Sequence, residues 1–471
     1  MNASSRSDLD KWRNLNLYYY QDIENFYQDF VQKETKVLEI GSNLGHLLNS
    51  LQPSYGLGIE QSPQAVIQAE ADFPHLNFIA LDAETFSNTE LLLDHADLFF
   101  DYILVAHTIS YLIDIPQTLK NLHRLSQPST RLVLTFHNPS WELILKFASL
   151  IGQRMPLPQL NWLSYSDVAN LLHLCQFEVV CHSKRLLLPK QIPLLSWFCN
   201  RVLAPLPIFN QFCLTEYIIA RPIIHVADRL HCSIIIPARN EFGNIEACIA
   251  NMPQLGAYTE IIFVEGGSTD GTWEEILRVQ QKYSGYSDRL NIKSHKQSGH
   301  GKKNAVWQGF ESATGDVFII LDADLTVQPR DLVYFFEAIA SGTCEFANGC
   351  RLIYPLSQAA MPRLNRLANR IFAFILSYLL NTQIKDSLCG TKAISRQNYQ
   401  KLAANRHFFG DFDPFGDFDL LFGAAKLGLK IMDIPVRYIP RTYGKSNISH
   451  IQAGFVLLKM CWHAAKKIKF V

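Results

Sequence analysis

The sequence predicts an α/β protein with two domains in tandem, each built on a largely parallel sheet. Three observations support this prediction. Short apolar runs alternate with stretches of helical periodicity along the chain. A glycine-containing segment, VLEIGSNLG at 37–45, follows the first of these runs. A second set of apolar runs starts near residue 232 and leads to Asp322 and Asp324. Because open α/β sheets bind ligands at the carboxyl ends of their strands, two separate sites are expected.

Length and composition agree with two domains. The chain has 471 residues, more than one ordinary hydrophobic core accommodates, and we place the domains at 1–225 and 226–471. An apolar content of 48% with 18% charged residues is typical of a folded globular protein. The formal net charge is zero, so no general field attracts nucleic acid and we expect no nucleic-acid partner.

Cysteine usage and apolar segments bear on the compartment. The ten cysteines are scattered without C-x-x-C or His/Cys metal spacing, which favours a reducing compartment. The N-terminal segment MNASSRSDLDKW lacks the apolar core of a secretory signal. The longest apolar segments, 371–384 and 203–215, are shorter than the roughly 18–20 residues of a spanning helix. We therefore expect a cytoplasmic protein.

Peripheral contact with the inner face of the membrane stays open because of the C-terminal segment. Ile451, Phe455, Leu458 and Trp462 recur at helical spacing, and lysines cluster near the end of the chain. Such a basic amphipathic helix suits an anionic lipid surface. The alternative is a terminal helix that docks on its own domain.

The first half of the chain predicts a sheet covered on both faces. Five apolar runs are expected to be its strands: KVLEIG, YGLGIEQ, NFIALDA, DYILVAH and RLVLTFH. Two later segments, FEVVCHSKRLLL and CLTEYIIARP, are expected to add an antiparallel pair at one edge, and 221–231 to be a linker.

Glycines and carboxylates follow the first three strands. Gly41 and Gly45 come after the first strand and open a helix, where glycine permits close approach of a ligand to the backbone. Glu60 ends the second strand, where a carboxylate can hold ribose hydroxyls, and Asp82 ends the third. The dinucleotide fingerprint G-x-G-x-x-G is absent, so a nicotinamide cofactor is the weaker option.

These motifs resemble class I S-adenosylmethionine-dependent methyltransferases over about residues 15–222, with VLEIGSNLG, GIEQS and LDAETF as the matching segments. The resemblance implies a Rossmann-like sheet that binds S-adenosylmethionine. It also implies that Glu39, Gly41 and Gly45 line this cofactor, that Glu60 holds the ribose, and that Asp82 lies on the adenine side.

The methyl acceptor is less defined. A sulfonium methyl is already activated, so transfer depends mainly on alignment, and a base helps only when the acceptor is a hydroxyl. His107 and Tyr111 sit where an acceptor-side group would lie. The alternative is that His107 is an ordinary histidine near a strand end.

The second half carries four ordered strand-end segments: SIIIPARNE, VEGGSTDGT, GHGKKNAVWQGF and ILDADL. Their candidate donor-binding residues are Pro237, Arg239, Glu241, Glu265, Asp270, Lys302 and Asp322. The lysine lies near a helix start, which suits an anionic ligand. Asp322 and Asp324 offer two hard oxygen donors for a divalent cation that bridges a diphosphate.

This half resembles inverting family 2 glycosyltransferases of the GT-A fold over about residues 232–450. The resemblance implies a second Rossmann-like sheet, a nucleotide-diphosphate sugar donor, and Mg²⁺ or Mn²⁺ held by Asp322 and Asp324. The segments KDSLCGTKAISR, FGDFDLLFGAAKLG and PVRYIPRTYGKSNIS look like the polyprenyl-phosphate branch of that family.

Candidate acceptor residues follow from the last two segments. Asp417 and Asp419, at a helix start, are candidates for deprotonating or positioning an acceptor. Arg441, Lys445 and Ser446 are candidates for binding its phosphate. The alternatives are charge stabilisation of a helix N-terminus for the carboxylates and a plain surface loop for the basic residues.

We therefore predict a bifunctional enzyme, a methyltransferase followed by a metal-dependent glycosyltransferase, that acts on a glycan or a polyprenyl phosphate. Two alternatives stay open. One is a glycosyltransferase whose methyltransferase-like domain only binds or scaffolds. The other is a non-catalytic sensor of sugar nucleotides.

Overall fold

The structure is a computed structural model that describes residues 6–84, 99–155, 161–224, 230–284, 290–354, 356, 360–405, 416–441, 443–444 and 450–470. These residues form two compact units, one within 6–224 and the other within 230–469. Each unit is built on one seven-stranded sheet. The predicted fold class, two α/β sheets in tandem, is confirmed.

The first sheet has the order β3-β2-β1-β4-β5-β7-β6. Its strands are β1 (Lys36–Ile40), β2 (Tyr55–Glu60), β3 (Asn77–Ala80), β4 (Tyr102–Ala106), β5 (Arg131–His137), β6 (Phe177–Arg185) and β7 (Thr215–Pro222). The first five are parallel, and β7 runs antiparallel to both β5 and β6. The five predicted strands and the antiparallel edge pair are thus confirmed.

Apolar side chains cover this sheet on both faces. Leu38 and Ile40 belong to one core cluster, whereas Val37, which precedes Leu38 on the strand, belongs to a second cluster. This alternation follows from the two-residue period of a strand. Strand β5 is buried along its whole length.

The helices of the first unit are α1 (Arg6–Leu15), α2 (Leu17–Phe30), α3 (His46–Ser50), α4 (Pro63–Asp72), α5 (Ile115–Arg124), α6 (Glu142–Leu150), α7 (Tyr165–Leu174), α8 (Leu195–Trp197) and α9 (Pro207–Asn210). Local sequence sets several of their starts. Ser62 caps α4 through its hydroxyl and is followed by Pro63, a residue suited to the first helical turn. Asp114 caps α5 through its carboxylate, which accepts the Gln117 N–H, and is also followed by a proline in the first turn.

The second sheet has the order β10-β9-β8-β11-β13-β12-β14. Its strands are β8 (His231–Ala238), β9 (Tyr258–Glu265), β10 (Leu290–Lys296), β11 (Val317–Ile320), β12 (Phe346–Cys350), β13 (Lys392–Ser395) and β14 (Ile431–Pro435). Strand β13 runs antiparallel to its neighbours β11 and β12, and the other pairs are parallel.

The helices of the second unit are α10 (Ile245–Ala250), α11 (Thr272–Tyr283), α12 (Gly301–Ser312), α13 (Leu332–Ala340), α14 (Arg363–Leu380), α15 (Arg396–Ala404), α16 (Asp417–Lys426) and α17 (His450–Ala464). No helix in the described ranges combines the length and the apolar character that crossing a bilayer requires.

The predicted linker 221–231 is wrong at both ends. Arg221 and Pro222 belong to β7, and His231 begins β8. The extension of β7 has a physical cause, because Arg221 faces Glu178 across the strand pair and the two form an ion pair at 2.8 Å.

Each sheet has one point at which the strand order reverses. In the first sheet it lies between β1 and β4, and in the second between β8 and β11. Ligand crevices of open α/β sheets form at such points, outside the carboxyl ends of the strands. The fold therefore directs attention to the segments that follow these four strands.

Candidate functional sites at the two strand-order switch points

The second unit brings the predicted donor residues to its switch point. Pro237 is the second-last residue of β8, and Arg239 directly follows that strand with its side chain exposed. Asp322 comes two residues after β11, the neighbouring parallel strand. The two segments therefore share one edge of the sheet, as the sequence predicted.

Arg441 joins two carboxylates at this edge. Its Nη2 donates to Asp324 Oδ2 at 2.6 Å and its Nη1 to Glu241 Oε1 at 3.1 Å. Asn244 Nδ2 donates to Glu241 Oε2 at 2.7 Å, so both oxygens of this glutamate accept a hydrogen bond. The sequence proposed Arg441 for an acceptor phosphate, and the structure places it against the donor-side carboxylates.

Burial shifts the ionisation of this glutamate. The pKa of Glu241 is raised to about 7, mainly because burial removes solvent from the carboxyl group; the nearby Asp324 and Asp322 act in the same direction, whereas Asn244 and Arg441 oppose the shift. The site thus contains a carboxyl group that titrates near neutral pH.

A lysine pairs with the first aspartate. Lys302 Nζ lies 2.7 Å from Asp322 Oδ1, at the start of α12. Gly390 packs so closely that a Cβ there would collide with Asp322 and Lys302. The turn that carries Gly390 is anchored by Asp386, which is fully buried and accepts hydrogen bonds from the Arg351 guanidinium at 2.7 and 2.8 Å.

Asp322 and Asp324 fit a hard divalent cation. Both present carboxylate oxygens at the sheet edge, with side chains 34% and 14% exposed. Mg²⁺ takes one or two protein carboxylates and leaves its other positions to water and substrate phosphates. Two aspartates at the carboxyl edge of the sheet therefore supply a suitable donor set, although each is also paired with a basic side chain here.

The VEGGSTDGT segment forms a tightly bonded loop after β9. The buried Glu265 carboxylate accepts the backbone N–H of Ser268. Asp270 accepts the backbone N–H of Phe242 at 3.2 Å and that of Thr272 at 3.1 Å. Gly267 and Gly271 take φ of +71° and +86°, which explains glycine at these turns. Glu265 and Asp270, both predicted to bind the donor, thus stabilise the loop after β9, and Asp270 links it to the segment after β8.

The acceptor-side predictions are placed only in part. Asp419, near the start of α16, forms an ion pair with Lys303 at 2.7 Å. Asp417 begins that helix, but its side chain lies outside the described residues, as do Lys445 and Ser446.

In the first unit, the glycine loop after β1 is bonded to β2. Gly41 has φ of +72°, and its N–H donates to Ile59 O at 2.8 Å. The Glu60 carboxylate accepts the N–H of Asn43 and that of Ser62, both at 3.0 Å. Each Glu60 oxygen keeps a second lone pair for a ligand hydroxyl.

The other cofactor candidates border the same loop. Gly45, with φ of +76°, caps α3. Glu39 is buried in β1, burial raises its pKa well above the usual range, and its Oε2 has no hydrogen-bond partner among the described residues. Asp82 accepts hydrogen bonds from the Glu84 N–H at 2.9 Å and from Gln61 at 3.3 Å. The ammonium group of S-adenosylmethionine can donate a hydrogen bond to a carboxyl oxygen, so the Oε2 atom of Glu39 suits this cofactor, and a bound cation would favour the charged form of the carboxyl group.

The sequence did not indicate Tyr19 and His137, two residues that lie near this switch point. His107, which the sequence singled out, shares a hydrogen-bond cluster with Tyr19 and His137. Tyr111, its expected companion, instead interacts with Arg154. The available signal was that His107 and His137 end two neighbouring parallel strands.

Family models match both halves of the chain. Residues 12–182 match the model described as "Methyltransferase domain". Residues 233–403 match "Glycosyl transferase family 2". The chain joins a methyltransferase domain to a family 2 glycosyltransferase domain.

Two curated relatives are similar to the glycosyltransferase domain. One is "Glycosyltransferase AglD" of Haloferax volcanii, 27% identical over 250 residues, 51% of this chain and 39% of the relative. Another is "Dolichol-phosphate mannosyltransferase" of Pyrococcus furiosus, 28% identical over 222 residues, 46% of this chain and 58% of the relative. The chain thus spans only about 40–60% of the length of these two relatives.

Solved structures are similar to each domain at low identity. Glucosyl-3-phosphoglycerate synthase from Mycobacterium tuberculosis is 19% identical with a TM-score of 0.37, covering 51% of this chain and 80% of its own. A possible histamine N-methyltransferase from Thermotoga maritima is 14% identical with a TM-score of 0.34, covering 46% of this chain and 94% of its own.

Proposed function

We propose that the glycosyltransferase domain transfers a sugar, with inversion, from a nucleotide diphosphate to a polyprenyl phosphate or a glycan. One observation carries this proposal. Asp322 and Asp324 meet Lys302, Arg441 and Glu241 at the switch point of the sheet. That combination offers oxygen donors for a cation and basic groups for a diphosphate at one edge of the sheet.

Mg²⁺ or Mn²⁺, held by Asp322 and Asp324, would supply electrostatic stabilisation of the departing diphosphate. Lys302 and Arg441 already lie within hydrogen-bond distance of these aspartates and so are placed to bind the diphosphate oxygens. Glu241, bonded to Asn244 and Arg441, holds the guanidinium in position.

The nature of the acceptor decides whether a base is needed. A phosphate acceptor is already ionised, so it requires only orientation, whereas a sugar hydroxyl requires proton removal. Asp419, paired with Lys303, is the candidate for orienting the acceptor or removing its proton, and Asp417 begins the same helix. Arg441, Lys445 and Ser446 are the proposed contacts for an acceptor phosphate.

Mass spectrometry of the purified protein tests this proposal. The protein is incubated with Mn²⁺, a panel of nucleotide sugars and a polyprenyl phosphate, with and without EDTA. We expect one donor to be consumed, the mass of one sugar to appear on the acceptor, and EDTA to stop the reaction. A reaction insensitive to EDTA, or consumption of no donor, would contradict the proposal.

We propose that the methyltransferase domain uses S-adenosylmethionine, and that both activities serve one product. The bonded loop at Gly41 and Glu60, and the unpartnered oxygen of Glu39, support the use of this cofactor. The common product is proposed only because both domains belong to one chain. Titration calorimetry with S-adenosylmethionine is the test. Absence of binding would favour the alternative, a glycosyltransferase whose methyltransferase-like domain only scaffolds.

We propose peripheral membrane contact for the glycosyltransferase domain. Four apolar side chains of α14 are exposed at helical spacing: Leu364, Leu367, Ile371 and Phe374. On α17, Leu458 and Trp462 are also exposed, whereas the side chains of Ile451 and Phe455 lie outside the described residues. Exposed apolar rows beside basic residues are typical of helices that lie on anionic lipid.

A further inference from the structure

A tyrosine and two histidines form a hydrogen-bonded cluster in the methyltransferase domain. Tyr19, from α2, places its hydroxyl 3.1 Å from His107 Nε2 and 3.3 Å from His137 Nε2. The two imidazole rings lie 4.5 Å apart. His107 directly follows β4 and His137 ends β5, so both histidines lie at the carboxyl edge of the sheet.

This cluster borders the glycine loop proposed to bind S-adenosylmethionine. Thr108, next to His107, donates from Oγ1 to Ile40 O at 2.9 Å, and a Cβ on Gly41 would collide with Thr108. The segment that carries His107 therefore packs directly against the glycine loop. Methyl transfer requires acceptor and methyl to be aligned here.

The backbone at His107 is held in an unusual conformation. Its φ is +58°, in the left-handed region that few non-glycine residues adopt. Its N–H donates to Thr135 O at 2.9 Å, which ties it to the neighbouring strand. Strain of this kind persists where the surrounding structure imposes it, often at functional sites.

The hydrogen bonds couple the proton positions of the two histidines. The Tyr19 hydroxyl has one proton, so it donates to one Nε2 and accepts from the other. In neutral rings, the first histidine then carries its proton on Nδ1, and the second has a bare Nδ1 that can accept one. Both Nδ1 atoms are buried and lack a hydrogen-bond partner in the described part of the chain. One of them is therefore a free base beside the cofactor loop.

The surroundings keep the imidazoles neutral. Burial lowers the pKa of His107 to about 3, and the Arg154 guanidinium adds to the shift. Burial, His107 and Arg154 lower the pKa of His137 well below its usual value. The other titratable groups that act on Tyr19 are Tyr20, Tyr111 and Asp22. A buried cluster beside a guanidinium disfavours an ammonium and favours an uncharged hydroxyl as the acceptor.

We propose that Tyr19, His107 and His137 form a proton relay, and that the methyltransferase domain methylates a hydroxyl oxygen. This inference rests on the proposed methyl transfer. The C–S bond of the sulfonium breaks, a C–O bond forms, and the hydroxyl proton passes to the bare Nδ1. The same histidine gives its Nε2 proton to Tyr19, whose own proton moves to Nε2 of the other histidine. That histidine gives its Nδ1 proton to water when the methylated product leaves the site.

Rate measurements with Tyr19→Phe, His137→Gln and the matched control Tyr27→Phe test the relay. Tyr27 is also a buried tyrosine of α2, and its hydroxyl bonds Thr135 Oγ1 of β5 at 3.2 Å. Because Thr135 Oγ1 also accepts the His107 N–H at 3.2 Å, this control affects a backbone contact of His107 but leaves the hydrogen bonds of both imidazole rings in place. Methyl transfer from tritiated S-adenosylmethionine is followed with octyl glycosides and with octylamine as acceptors. We expect label on the glycosides, and a rate about 10²–10⁴-fold lower in the two relay variants than in the control.

Calorimetry with S-adenosylmethionine separates the possible failures. Relay variants that bind the cofactor as tightly as the wild type confirm that only the proton step is impaired. Absence of binding in the wild type would overturn the proposed methyl transfer itself. Three other outcomes, each with cofactor bound, would overturn the relay and leave the cofactor assignment intact. They are transfer to octylamine alone, no transfer to any glycoside, and equal rates for Tyr19→Phe and Tyr27→Phe.

A second measurement needs no acceptor. Nitrogen NMR of histidine-labelled protein, with signals assigned through His107→Gln and His137→Gln, reports which ring nitrogen carries the proton. We expect opposite tautomers for the two histidines, and loss of this coupling in Tyr19→Phe. Equal tautomers, or two protonated rings at pH 7, would overturn the relay.

Discussion

The two strand-end sites have the same position in their sheets but opposite electrostatic character. In the glycosyltransferase domain, carboxylates are paired with cations, as in Lys302–Asp322 and Arg441–Asp324. In the methyltransferase domain, Tyr19, His107 and His137 form a neutral hydrogen-bonded cluster. A leaving diphosphate accumulates negative charge, which cations stabilise. A sulfonium loses its charge on transfer, so its site needs alignment, and it needs a base only when the acceptor is a hydroxyl. The sheet sets where a site lies, and the side chains set its chemistry.

The largest expected effect separates the two domains at the carboxylate pair. Asp322→Asn with Asp324→Asn should lower glycosyl transfer by about 10³-fold or more, because the site loses its charged oxygen donors. Binding of S-adenosylmethionine should not change. Asp316→Asn is the control, since Asp316 lies at the other end of β11 and bonds the His231 N–H at 2.9 Å. Transfer assays at saturating donor measure the effect. A double variant that keeps its activity would show that glycosyl transfer does not depend on the two carboxylates.

A smaller effect is expected at the ribose position. Glu60→Gln should weaken S-adenosylmethionine binding by about tenfold, since a charge-assisted hydrogen bond contributes about 1.5 kcal/mol or more. Calorimetry gives the dissociation constant, with the exposed Glu70→Gln of α4 as the matched control. Equal affinities of the two variants would show that Glu60 only supports the loop.

Acidification should affect the neutral cluster. The folded-state pKa of His107, about 3, lies below its unfolded value of about 6.5, so the unfolded chain takes up the proton first. This residue's contribution to stability is present above pH 6.5 and is lost as the pH falls toward 3. At pH 5 the loss relative to pH 7.5 is about 2 kcal/mol. Urea unfolding of the wild type and of His107→Gln at both pH values measures this loss of unfolding free energy. If both proteins lost the same free energy between pH 7.5 and pH 5, the lowered pKa of His107 would be contradicted.

The smallest expected effect concerns the exposed face of α14. Leu367→Glu with Phe374→Glu should lower binding to anionic vesicles by about tenfold, because two apolar anchors are replaced by charges of the same sign as the lipid. Ile67→Glu, at an exposed apolar position of α4, is the control. Flotation with vesicles of defined anionic lipid content measures the change. Equal flotation of both variants would exclude α14 as the contact.

The sequence predicted the sheets well, because long apolar runs such as 131–137 are buried on both faces and leave a clear pattern. It predicted which side chains come to the carboxyl edge of a sheet where a motif follows a strand, as at Asp322. It missed the partners that the fold brings from distant segments: Tyr19 is 118 residues from His137, and Arg441 is 117 from Asp324. No local spacing encodes these contacts. The left-handed backbone of His107 was equally invisible, because histidine gives no conformational signal of the kind that glycine does.

A crystal soaked with Mn²⁺ and the preferred nucleotide tests the central assignment most directly. We expect an anomalous peak about 2.0–2.2 Å from carboxylate oxygens of Asp322 and Asp324, in contact with the diphosphate. A nucleotide bound beside these residues with the manganese peak absent from both aspartates would contradict the assignment.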